Sequence, residues 1–421
     1  MLLDLEQEIS TKIQGDNAML TRQQQLEIVY RLWEEGSYAS ELYISMLRDA
    51  GLEGLKLDSE EKFHQLPFMT REDIRRSTHE QRMVCSREDV LGYFTSSGTT
   101  GIRKVYAFSK EDKKVQEYVT RKVYTPLGIG PGDIGLIAVP IGSGNMGHSM
   151  TWQYMVMGGG FYCVDEPSLD NIRYALQTMP ITTISTLPSL AMEMGKSEED
   201  REIAGKSSVK RLLVGGDVMS RVRRMQIENL YQAKCYDSFG MSEIFGPTGN
   251  ECLMQDGIHF CDDVLLIEVI DPDTLQEVAP GETGLACYTM LWKKGSPLIR
   301  YLTDDLISIS TEPCKCGSDL PRLWYKGRLD FTRRNTFGAI ISPCDIEAEL
   351  FKATGYASPY SVGIHDDGTY VLHLVEGVPG SERSDSALLT DALEKLMGGK
   401  VTTAFDHSSD YEYKNHCFRK E

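Results

Sequence analysis

The sequence predicts an α/β protein: a large N-terminal domain of mostly parallel, helix-covered sheets plus a β-rich part, then a small α+β domain. Three observations carry this. From about Gly132, short apolar runs such as "DIGLIAVPIG", "GGFYCVDEP", "ITTISTLPS" and "VKRLLVGGDV" alternate with helical stretches such as "SLDNIRYALQTM" and "SRVRRMQIENLYQA". That alternation predicts strands of a parallel sheet covered on both faces. After Asp256 the texture turns to strands, in "GIHFCDDVLLIEVID", "TGLACYTML" and "PLIRYLTDDLISIS". Beyond Gly327 the order is helix ("DIEAELFKATG"), hairpin, helix ("SDSALLTDALEKLM") and strand ("KVTTAF") over about 95 residues, a normal domain size.

Taken in order, residues 20 to 90 read as helices. "TRQQQLEIVYRLWEEG" has apolar residues at helical spacing and stops at Gly36. In "MTREDIRRS", Thr70 is an N-cap candidate with Asp73 placed to complete the cap. The 421 residues are 41% hydrophobic and 25% charged, with a net charge of -18. So acidic a balance argues against bulk nucleic-acid or anionic-membrane binding, while leaving room for a local basic pocket. The first residues are acidic where a signal peptide needs bases and an apolar run. No apolar run approaches the ~18 residues of a membrane span. With 10 cysteines and no export signal, the expectation is a cytoplasmic protein with reduced thiols.

The stretch "YFTSSGTTGIRKV" (Tyr93 to Val105) is poor in side-chain atoms. Glycines permit close backbone approach to a ligand, and successive N–H groups and hydroxyls can converge on an anion. It is not a GxxxxGK[ST] loop, since no lysine directly follows the last glycine. A Ser/Thr/Gly linker is the alternative reading.

Other segments bear on that choice. "YDSFGMSE" (Tyr236 to Glu243), "PLIRYLTDDL" (Pro297 to Leu306), "GRLD" (Gly327 to Asp330) and Lys414 follow the loop in that order. Together they resemble the adenylate-forming superfamily of acyl- and aryl-CoA ligases and adenylation domains. Within it they are most similar to the phenylacetate-CoA ligase branch, where the loop reads SSGTTG as here and "YDSFGMSEIFGPTGNEC" matches beyond the core motif. The resemblance runs from about residue 60 to the C-terminus.

The resemblance implies that a carboxylate attacks the α-phosphate of ATP, giving an acyl-adenylate and pyrophosphate, and that coenzyme A then displaces AMP. It implies that Thr95, Ser96, Ser97, Gly98, Thr99, Thr100 and Gly101 cradle the β- and γ-phosphates, with Lys104 as a point charge. Glu243 would hold Mg²⁺. Phe239 takes a position that is tyrosine in the family and would stack on adenine. Asp237, Ser238, Gly240, Met241 and Ser242 would border the nucleotide, as would Gly215, Gly216 and Asp217 in "LLVGGDVMS". Asp305 would accept hydrogen bonds from the ribose hydroxyls; Asp304 is its neighbour and competitor. Arg328 would reach ribose or phosphate, while Arg300 is either a site residue or a structural ion-pair partner.

The acyl pocket would be walled by "VPIGSGNMGHSMTW": Ile141, Gly142, Ser143, Gly144, Asn145, Met146 and Gly147. This wall is roomier and more polar than the aromatic one typical of the branch. His148 would be either a substrate contact or a structural donor. Residues 1–327 would then form the adenylate-forming domain and 328–421 a mobile C-terminal lid with its hinge at Asp330. Lys414 would be the adenylation lysine, although the family's preceding glycine is Tyr413 here and Lys420 is a rival. The acid is expected to be aromatic. A carrier-protein thiol or an amine is the rival acceptor, and an inactive nucleotide-binding homologue is a third reading. The branch also implies a homodimer.

A separate signal lies in Cys252, His259, Cys314 and Cys316. Cys-x-Cys on a Pro/Gly-bounded turn suits a zinc knuckle. Cys252 and His259 would close a four-ligand structural Zn²⁺ site. Cys261 competes as a ligand, being two residues from His259 on an expected strand, and unrelated reduced thiols are the plainer alternative.

Overall fold

Thr21 and Thr70 begin helices for the same reason: each hydroxyl accepts from a backbone N–H three residues on, and that residue's side chain bonds back. The computed structural model describes residues 19–95, 104–142, 144–164, 166–355, 360–365, 367–375, 387–406 and 418–420. The Arg22–Glu34 helix buries Leu26, Ile28, Val29 and Leu32, each side chain contributing about 1.5–3 kcal/mol. It ends before Gly36, whose φ of 74° stops it. Further helices, Glu41–Asp49, Glu60–Gln65, Arg71–Arg76 and His79–Arg82, bear out the helical reading of this region. No described helix is long and apolar enough to cross a membrane.

The described residues fall into two units. The first draws on Met1–Glu166, Tyr236–Thr303 and Ile307–Trp324. In it Ile134–Ala138 and Gly160–Cys163 run parallel, and Met69–Thr70 runs parallel to Tyr301–Ser310. The β-rich part is antiparallel. Lys234–Met241 pairs with Gly246–Glu251, which pairs with Ile258–Phe260, which pairs with Arg322–Arg328. Leu265–Ile270 pairs with Gly284–Met290. Gly240 is required where the first two strands cross: a Cβ there would lie 2.2 Å from the Gly246 carbonyl oxygen.

The second unit draws on Pro167–Cys235, Asp304–Leu306 and Tyr325–Glu421. Thr183–Thr186 runs parallel to Arg211–Gly215, and the helices Leu169–Thr178, Glu198–Lys206 and Arg221–Tyr231 belong with them. The expected helix, hairpin, helix and strand follow as Pro343–Thr354, Tyr360–Ile364 with Tyr370–Val375, Ala387–Met397 and Val401–Asp406. A strand that the sequence did not announce, Phe418–Lys420, pairs parallel with Tyr360–Ile364. Ile346, Leu350, Tyr360, Leu372 and Leu393 form the core of this part. The α/β class read from the sequence is thus the class observed.

Candidate active site

In the first unit the strand Val90–Thr95 pairs antiparallel with Val105–Ser109, so that Thr95 faces Val105. The Ser/Thr/Gly loop joins them. Ser96, Ser97, Gly98, Thr99, Thr100 and Gly101 lie outside the described residues, as do Ser143 and Lys414. Thr95 forms a parallel bridge to Gly144, which brings the loop's entry to the start of the Asn145–Met157 helix.

Lys104, at the loop's exit, is buried, and its Nζ donates to Glu243 Oε1 at 2.9 Å. The two residues are 139 apart in sequence. Glu243 sits in the turn between Lys234–Met241 and Gly246–Glu251. Beside it, burial holds the Tyr106 phenol well above its ordinary range, and the Glu243 carboxylate adds to that.

The strand before the turn carries the other expected nucleotide residues. Asp237 N donates to Glu251 Oε2 at 2.9 Å. Ser238 Oγ donates to Asn250 Oδ1. Phe239 is buried against Tyr288, with ring centroids 6.2 Å apart. Met241 and Ser242 are half-buried, and Gly240 is exposed. On the expected acyl wall, Ile141, Gly144 and Met146 are half-buried, Gly142 is exposed, and Asn145 and Gly147 are buried. His148 lies with Nε2 3.0 Å from the Gly142 carbonyl and is exposed, the geometry of its structural reading. Arg300 forms a buried ion pair with Glu268 at 2.9 Å.

In the second unit, Gly215 ends the Arg211–Gly215 strand and Gly216 takes a φ of 81°, a turn that favours glycine. Asp217 then bonds Arg223 Nη1 at 3.0 Å and accepts from Val218 N. Arg223 also pairs with Glu347 at 2.5 Å, and Ser220 Oγ donates to the same carboxylate. Burial pushes the Glu347 carboxyl up, with Arg223 opposing. Asp305 accepts from Tyr325 OH at 3.2 Å. Arg328 reaches Asp304 at 3.3 Å and Asp330 at 3.5 Å.

The expected metal ligands are brought together. The ligand atoms of Cys252, His259, Cys314 and Cys316 all lie within 4.8 Å of one another. Cys252 Sγ is 3.8 Å from Cys314 Sγ, and Cys316 Sγ is 3.5 Å from His259 Nε2. A tetrahedral zinc with ~2.3 Å bonds to sulfur and ~2.0 Å to nitrogen sets these spans at about 3.8 and 3.5 Å, so the donors fit the ion. His259 Nδ1 lies 3.0 Å from Leu320 O, which turns Nε2 toward the thiols. Burial holds this imidazole below its ordinary range, hence neutral as a ligand must be. Backbone N–H groups of Met254 and Ser318 point at Cys252 and Cys316 sulfurs. Cys261 is buried outside this cluster because its strand ends at Phe260.

Sequence reasoning missed two groups. Lys293 is fully buried beside the Glu243 turn, with Nζ donating to Ile244 O at 2.9 Å. Its signal was a lysine directly after the apolar "MLW". Arg223 and Glu347 are distant in sequence and carry no motif.

The model for AMP-binding enzymes matches residues 19–289. The phenylacetate-coenzyme A ligase of Thermus thermophilus is 27% identical over 338 residues, covering 78% of this chain and 74% of that protein. Among solved structures, a 2-hydroxyisobutyryl-CoA ligase in the postadenylation state, in complex with R3-HIB-AMP, superposes with a TM-score of 0.79 at 18% identity, covering 95% of this chain and 90% of that one. The same ligase with 2-HIB-AMP and CoA in the thioesterification state gives 0.67 at 19% identity, covering 96% and 91%.

Proposed function

The chain belongs to the AMP-binding enzyme family, and from that premise we propose that it is an ATP-dependent acid–CoA ligase of the phenylacetate-CoA ligase type. It activates an aromatic acid as acyl-AMP and transfers the acyl group to coenzyme A. The observation that carries this reading is the Lys104–Glu243 pair. A point cation at the exit of a phosphate-type loop meets a carboxylate with a single 2.9 Å contact. Each partner can exchange that one contact for a phosphate oxygen or a metal ion.

In this reading Lys104 binds the terminal phosphates and Glu243 holds Mg²⁺, which when bound offsets charge on the phosphate oxygens. Thr95 and the loop Ser96 to Gly101 orient the triphosphate. Asp305 holds the ribose, with Tyr325 fixing its carboxylate; Arg328 supports the same region through Asp304. The Ile141-to-Gly147 wall seats the acid. Lys414 stabilises charge as the acid attacks the α-phosphorus, and pyrophosphate leaves. The thiol of CoA then attacks the acyl carbonyl, its proton passes to solvent, and AMP leaves. The work is positioning and charge stabilisation.

The lid of residues 328–421, turning at Asp330, separates the two half-reactions; the relative whose structures are described in two states supports this. Cys252, His259, Cys314 and Cys316 hold a structural Zn²⁺ that ties two loops together, with no open position for chemistry.

Carboxylate-dependent exchange of labelled pyrophosphate into ATP tests the reading, over a panel holding phenylacetate, benzoates and 2-hydroxyisobutyrate, followed by addition of CoA. Exchange with an aromatic acid and thioester on adding CoA is the expected result. Exchange with only the small hydroxy acid moves the substrate class, exchange without CoA consumption moves the acceptor, and no exchange with any acid refutes the activity.

A further inference from the structure

Lys293 is 1% exposed, yet its ammonium forms no ion pair among the described residues. Its one hydrogen bond goes to Ile244 O at 2.9 Å. The rings of Phe108 and Phe245 lie 4.5 and 5.1 Å from Nζ, and their faces offset part of the lost hydration. Burying a cation outside ion-pair distance of a carboxylate is costly; burial lowers its proton affinity, with the Asp112 carboxylate opposing. A neutral donor would satisfy Ile244 O at less cost. The position of this cation matters more than its contribution to stability.

Three consecutive residues of the turn are each gripped by a donor from elsewhere in the same unit. Lys104 Nζ holds Glu243 Oε1 at 2.9 Å, Lys293 Nζ holds Ile244 O at 2.9 Å, and Gln116 Nε2 holds Phe245 O at 3.0 Å. Gln116 is itself set by Ser149 at 2.6 Å. A turn has no ladder to fix its carbonyls, so these contacts decide where the Glu243 side chain starts.

We infer that Lys293 is a positioning residue: by gripping Ile244 O it holds the Glu243 carboxylate aimed for the divalent cation that accompanies ATP. The inference rests on the reading of Glu243 as the Mg²⁺ ligand, and the test separates the two.

Isothermal titration of MgATP, and of ATP in EDTA, is made into the wild-type chain and Lys293→Met, Lys293→Arg, Glu243→Gln and the Lys293→Met/Glu243→Gln double variant. Thermal melts accompany each. Lys293→Met is expected to weaken MgATP about tenfold while metal-free ATP changes less than about twofold, the scale of one misplaced charge-assisted contact. It should melt no more than about 3 °C below the wild type, because it removes an unpaired buried cation. Lys293→Arg, which keeps the donor and the charge, should recover MgATP binding to within about threefold and carries the test if the Met variant does not fold. In the Glu243→Gln background Lys293→Met should add nothing.

Parallel loss of both ATP affinities, additivity with Glu243→Gln, or failure of Arg to rescue MgATP binding overturns the inference and leaves Lys293 a packing residue. Undiminished MgATP binding by Glu243→Gln alone overturns the metal-ligand reading, and the inference with it.

Discussion

Two buried ion pairs in the same unit are built differently. Arg300 holds Glu268 through Nε at 3.2 Å and Nη2 at 2.9 Å, while its Nη1 bonds the carbonyls of His64 and Leu66. Cys287 adds a thiol contact to the same carboxylate. Lys104 meets Glu243 through one oxygen only. Both pairs are more than nine-tenths buried, so burial does not tell them apart. Saturation does. A planar guanidinium with its donors spent on a carboxylate and two carbonyls locks an architecture. A point ammonium on one carboxylate oxygen is a contact that another anion can replace. The first pair ties the Met69–Thr70 region to the antiparallel strands; the second lies where the family's chemistry is expected.

Substitutions can break or sharpen that contrast. The largest effect should come from Glu268→Ala, which strands a buried guanidinium and costs about 3–5 kcal/mol of stability; denaturant unfolding measures it, and a loss under 1 kcal/mol would erase the distinction. Lys104→Ala should instead lower pyrophosphate exchange about a hundredfold and cost less stability than Glu268→Ala, because it breaks one contact rather than several. Next in size, Cys314→Ser should take zinc content from about one per chain to well below that and lower the melt, since structural zinc contributes folding energy; metal analysis of purified protein decides it. Asp305→Asn should raise the KM for ATP about tenfold with kcat within about twofold, the mark of binding made equally in ground and transition states. Cys261→Ala is the smallest case: zinc content should stay at that of the wild type, because this thiol is outside the cluster.

The fold was legible because its signals are local. Thr70 capped the helix it was read to cap, and the Val/Ile/Leu runs closed by Gly or Pro became the parallel strands. The Cys/His cluster was legible for a related reason: Cys314 and Cys316 declare themselves on one turn, and only two more soft ligands would complete a metal site. Cys261 was a fair rival until the strand was seen to end at Phe260, which removes the alternation that would have put it beside His259. Tertiary pairings were not legible. Nothing in "IRKV" names Glu243 as the partner of Lys104, and Arg223 and Glu347 belong to segments that only folding brings together. Lys293 was missed because a lysine after three apolar residues reads as the end of a buried run, not as part of it. The resemblance named candidate site residues, whose roles are proposals. Those of the Ser96-to-Gly101 loop and Lys414 lie outside the described residues.

The most direct measurement takes Glu243→Gln and records carboxylate-dependent pyrophosphate exchange and thermal unfolding on one preparation. The account predicts exchange reduced about a thousandfold with a melt within a few degrees of the wild type, since a near-isosteric amide still accepts from Lys104. Exchange retained within about threefold, or a melt that collapses as that of Glu268→Ala should, would contradict it.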